Sequence, residues 1–122
     1  MEQEFKIYFF KDSSGREPVK EYLEELNNSK SVIKQKLYKK VVEYLELLSQ
    51  KGNFLGEPYV KYLQDDIWEL RPKNERILYA CIVNHDIYLL HHFTKKTRKT
   101  PLRELRIAKK RVKLLKGGTG NG

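Results

Sequence analysis

The chain has 122 residues, 39% hydrophobic and 34% charged, with a formal net charge of +9. That length suits one compact domain that buries its own core, and the single cysteine, Cys81, excludes an internal disulfide. No apolar run is long enough to cross a bilayer, and the opening M-E-Q-E-F-K lacks the apolar stretch of a secretory leader, so a cytoplasmic protein is expected.

The charge is spread unevenly. Residues 1–60 hold 10 Lys+Arg against 10 Asp+Glu, while residues 61–122 hold 15 against 6. An excess confined to one half of the chain suggests a face that meets a polyanion.

Residues 5–10 (F-K-I-Y-F-F) read as a short strand, ended by the turn residues Asp12-Ser13-Ser14-Gly15. Pro18 suits the first turn of a helix that runs to about Leu26, with Val19, Tyr22, Leu23 and Leu26 on one face. Asn27-Asn28-Ser29 breaks it. Ser31 caps a second helix, which runs to about Gln50 and stops at Gly52. Its apolar stripe is Ile33, Leu37, Val41, Tyr44, Leu45 and Leu48. The two helices are expected as an antiparallel hairpin over one sheet face.

Residues 59–63, after a loop, are a short strand or irregular chain, with Lys61 a candidate phosphate contact. On the next strand Trp68 and Leu70 share one face and Glu69 and Arg71 the other. Pro72-Lys73-Asn74 supplies a turn. Residues 76–83 are apolar on both faces, as a central strand should be. Asn84-His85-Asp86 suits a tight hairpin into residues 87–93. Thr100 as cap and Pro101 as first residue open a last helix to about Lys116. Its stripe is Leu102, Leu105, Ala108, Val112 and Leu115. Its remaining surface is cationic, and Arg106 and Lys110 are candidate contacts to RNA phosphates. Residues 117–122 (G-G-T-G-N-G) are expected to be a disordered tail to a single domain, 1–116. The fold class is α+β, a small, mostly antiparallel curved sheet in the order β-α-α-β-β-β-α.

Common catalytic signatures are missing. There is no glycine-rich phosphate loop, no G-x-S-x-G and no Cys or His pair spaced for zinc. His91 and His92 are adjacent, so on a strand their rings point to opposite faces. The sequence therefore calls for no metal and no cofactor. Metal-free RNA cleavage needs less: the 2′-hydroxyl attacks its own phosphodiester, a base takes the proton, cations hold the charge at phosphorus, and an acid protonates the leaving oxygen. Arg71 and Arg76 flank the 72–74 turn and can converge on one anion. With Lys95 and Lys96 they are the candidate charge stabilisers, and Arg98 and Lys99 add binding cations. His92, which titrates near neutrality, is the first candidate for proton transfer. Glu69 is an alternative base, and Tyr79 or a lysine an alternative acid. Arg76, at a strand's start, is expected to be partly exposed and dispensable for folding.

W-E-L-R-P at 68–72, R-I-L-Y at 76–79 and L-L-H-H-F-T-K-K-T-R-K-T-P at 89–101 together resemble the RelE/ParE superfamily of toxins of type II toxin–antitoxin systems, most closely its HigB-type, phage-associated branch. The resemblance spans nearly the whole chain. It implies a ribosome-dependent endoribonuclease that cuts mRNA in the ribosomal A site with Arg, Lys and sometimes Tyr or His on a concave sheet face. The positions that match are Arg76, Lys95 and Lys96, while Arg71 belongs to the W-E-L-R-P signature of this branch. It also implies a cognate antitoxin with a helix-turn-helix domain, through which alone the pair would reach promoter DNA. RelE proteins carry lysines where this chain has Ile67 and Glu69, which leaves the proton carriers open. Two alternatives remain: a ParE-like poison of DNA gyrase, or a non-catalytic ribosome- or RNA-binding inhibitor of translation.

Overall fold

The computed structural model describes residues 4–117. Nine elements follow in order: β1 (Lys6–Phe9), α1 (Pro18–Asn28), α2 (Val32–Lys51), a 3-10 turn (Gly52–Leu55), β2 (Val60–Gln64), β3 (Ile67–Leu70), β4 (Glu75–Val83), β5 (Asp86–Thr94) and α3 (Leu102–Leu115). The expected α+β class holds, with five strands. Residues 59–63, expected as a short strand or irregular chain, fall largely in β2 (Val60–Gln64). It reaches β3 through Asp65 and Asp66, both at positive φ (53° and 64°), the turn that right-twisted strands favour. Of the tail expected at 117–122, only Gly117 is described; the rest lies outside the described residues.

The strands form one sheet in the order β1-β5-β4-β3-β2. β1 pairs with β5 in parallel and all other pairs are antiparallel. β4 is the middle strand, buried on both sides. Ile77 and Tyr79 pack under the α1–α2 hairpin with Val41, Leu48 and Leu89. Leu78 and Ala80 pack on the opposite face under α3 with Leu105, Ala108 and Val112. Full burial of each large aliphatic side chain contributes about 1.5–3 kcal/mol, so both layers anchor the sheet.

Local chemistry explains most boundaries. Ser31 caps α2, its hydroxyl accepting from Lys34 N at 3.3 Å. Gly52 ends α2 at φ 55°, where a Cβ would collide with the ring of Phe5. One expectation fails at a helix start. α3 begins at Leu102 with Pro101 in the cap position and no side-chain cap; the Thr100 hydroxyl instead donates to Glu69 Oε2 at 2.6 Å. Ile33, the first position of α2's apolar stripe, is 79% exposed.

A bulge in β5 sets which side chains meet which layer. Leu78 pairs with His91 but Tyr79 pairs with Leu89, so Leu90 is an extra residue. From Ile87 and Leu89 under the hairpin, strict alternation would carry His91 to the same side and His92 to the α3 side. The bulge inverts this: Leu90 and His91 both face α3, and His92 faces the hairpin.

Candidate functional site: a cationic cleft over a buried glutamate

On the α3 side, where β3 ends and β4 begins, a cleft of about 360 Å³ opens beside the loop 95–100. Glu69 and Arg71 lie two residues apart and share this face. Arg76 follows the tight turn Pro72-Lys73-Asn74, which places Lys73 at φ 55°. Lys61 on β2 pairs directly opposite Glu69. The backbone of Lys95 donates to Asn74 O at 2.7 Å, tying the cationic loop to the β3–β4 turn.

Glu69, only 3% exposed, is the hub. One carboxylate oxygen accepts the Thr100 hydroxyl. The other lies 3.5 Å from Arg71 Nε and 3.8 Å from Arg76 Nε. The two arginines do converge on one anion, the protein's own. Both separations exceed good hydrogen-bond range, and Arg71 Nε is buried without a hydrogen-bond partner among the described residues. Arg76 Nη1 donates to the carbonyls of Lys73 and Glu75, both at 2.8 Å. Arg76 is 5% exposed, which corrects the expectation of a partly exposed side chain. The preceding tight turn folds back over it. Burial pulls its pKa down, opposed by Glu69 and reinforced by Arg71, though a guanidinium remains charged.

Lys61, Lys95, Arg98 and Lys99 line the same cleft. None forms an ion pair within 4.0 Å among the described residues. Lys96 lies just outside, lining neighbouring depressions of the same loop. Arg106 and Lys110 are exposed on α3 and do not line the cleft.

His92 is not brought to this site. Its ring stacks on Tyr22 of α1, with centroids 4.0 Å apart, on the far side of the sheet. Burial, then the neighbouring His91, lowers its pKa. Tyr79 is fully buried on that side too, its hydroxyl donating to Asn53 Oδ1 at 2.9 Å, and burial raises its pKa. Neither reaches a molecule in the cleft. Thr100 was missed because Thr before Pro reads as a helix cap. The alternation W-E-L-R did place Glu69 beside Arg71.

An open five-stranded sheet with a helical hairpin on one face, a basic helix on the other and a cationic cleft between helix and strand ends makes this a small α+β protein. Residues 23–113 match the family described as Phage derived protein Gp49-like (DUF891), and the chain belongs to that family, a toxin-like family of toxin–antitoxin systems. No curated protein matches the chain significantly. No helix among the described residues is long and apolar enough to cross a membrane.

Proposed function

We propose that this protein is the toxin of a type II toxin–antitoxin pair, related to the HigB-type branch of RelE-like proteins, and that it cleaves mRNA on the ribosome without a metal. The observation that carries this reading is the buried carboxylate of Glu69 beside Arg71 and Arg76, in a cleft also lined by Lys61, Lys95 and Lys99, which have no ion pair among the described residues. A phosphodiester entering the cleft meets Arg71 and Arg76, whose separations from Glu69 leave donors for it. Glu69 takes the proton of the attacking 2′-hydroxyl. The two guanidiniums hold the charge that develops at phosphorus, and the Lys95 ammonium protonates the departing 5′-oxygen. Lys61, Lys96, Arg98 and Lys99 grip flanking phosphates, and Arg106 and Lys110 extend this grip along α3 to ribosomal RNA.

The proposed partners are the ribosome with mRNA in its A site and a helix-turn-helix antitoxin that carries any promoter-DNA contact. Primer extension on a defined mRNA in a cell-free translation system, with and without ribosomes, tests the reading. Cuts that appear only with ribosomes support it. Translation arrest with intact message would replace it with inhibition by occupancy, and arrest of DNA gyrase with no effect on translation would replace it with a ParE-like activity.

A further inference from the structure

The apolar stripe of α2 is longer than the core beneath it. Leu48 and Val41 are fully buried and Leu37 is half-buried, but Ile33, the next position on the same stripe, is 79% exposed, and Val32 beside it is 62% exposed. Residues 31–36 are exposed without interruption. Two β-branched aliphatics at the start of a well-capped helix thus stand exposed, and no core cluster among the described residues takes them in.

Their surroundings are cationic. Between Glu25 and Glu43 the chain holds Lys30, Lys34, Lys36, Lys39 and Lys40 and no acid. Of these only Lys40 has an ion pair, with Glu43 at 3.4 Å; the other four have none within 4.0 Å among the described residues. The patch is separate from the cleft, since the hairpin covers the face of the sheet opposite α3. α2 ends beside the start of β1, where Ser49 O accepts from Phe5 N at 2.7 Å. Twenty residues of helix span about 30 Å, so the tip lies toward the other end of the sheet.

We propose that the tip of the α1–α2 hairpin, centred on Val32 and Ile33, is a docking surface for an acidic amphipathic helix of a second protein. Such a helix continues the buried stripe with its own apolar residues and meets the surrounding lysines with carboxylates. Protein fits better than nucleic acid, because a base stacks on flat aromatic or guanidinium surfaces and Val and Ile offer none. This surface does not depend on whether the cleft cleaves RNA.

The test uses the full chain and a labelled synthetic amphipathic peptide with Leu at i, i+3 and i+7 and Glu elsewhere. Binding is read by fluorescence anisotropy and mapped by amide chemical shifts. A sequence-scrambled peptide of the same charge and a single-stranded RNA oligonucleotide serve as comparisons. We expect binding of the amphipathic peptide with shifts confined to residues 30–40. Affinity should fall about tenfold in Ile33→Ser and in Lys34→Glu/Lys36→Glu, each with an unchanged melting temperature, and stay the same in Lys95→Ala. Equal binding of the scrambled peptide, or affinity indifferent to Ile33→Ser, would overturn the proposal, as would shifts at 30–40 produced by the RNA alone. A large drop in melting temperature on Ile33→Ser would also overturn it, because Ile33 would then be covered within the chain.

Discussion

Two glutamates, Glu69 and Glu75, sit on opposite faces of the same sheet, 3% and 8% exposed, and do opposite things. Glu75 is closed off. Its two oxygens accept the hydroxyls of Tyr22 at 2.6 Å and Thr94 at 2.9 Å, which lock α1 to the ends of β4 and β5. Glu69 has one hydroxyl partner and two arginines held beyond hydrogen-bond range, at the wall of an open cleft. A carboxylate whose acceptors are filled by neutral donors is structural. One left among incompletely satisfied cations can exchange partners with an incoming anion. Arg76, next to Glu75 in sequence, belongs to the other face, so the structural network fixes the strand end from which the cleft's arginine projects.

Breaking the cleft side should cost most. Arg76→Ala leaves Glu69 buried with Arg71 as the one described cation within 4.0 Å, a loss of about 3 kcal/mol for a broken buried pair. Urea unfolding should show it as a clear fall in midpoint, and an unchanged midpoint would mean Glu69 does not depend on Arg76. On the other face, Tyr22→Phe removes one hydroxyl from Glu75 and should cost about 1.5 kcal/mol, with no change in any activity of the cleft.

A smaller, graded effect comes from pH. Burial is the largest cause holding both histidines below the ordinary value of 6.5, with the Glu104 hydrogen bond opposing it at His91. The folded state therefore binds their protons less readily than the unfolded chain. Stability they contribute is complete above pH 6.5 and is lost as the pH falls through the lower folded values. Melting curves between pH 7.5 and 5 should fall on acidification, and His92→Gln should flatten that fall. Least of all, Lys61→Ala should leave stability within about 0.5 kcal/mol, while weakening RNA binding and reducing its dependence on salt.

Elements were legible where local chemistry sets them: Pro18 and Ser31 at helix starts, Gly52 at a helix end, the double-sided apolar run of β4. The face of Glu69 and Arg71 followed from strand alternation. The histidines were misplaced by a single extra residue, because a bulge at Leu90 depends on pairing with β4 and leaves no local mark. The same holds for the parallel pairing of β1 with β5 and for Thr100, whose hydroxyl finds Glu69 31 positions away. Ile33 continued its stripe faithfully; how far the core reaches beneath that stripe is a property of the assembled fold.

The contrast between the two faces is tested most directly by single-turnover cleavage of mRNA on purified ribosomes, comparing wild type, Glu69→Gln and His92→Gln, all shown to be folded. The cleft account predicts that Glu69→Gln slows cleavage at least about 100-fold, the lower range for losing a general base, while His92→Gln cleaves at a rate near wild type. Loss of cleavage in His92→Gln with Glu69→Gln still active would contradict it and move the chemistry to the other side of the sheet.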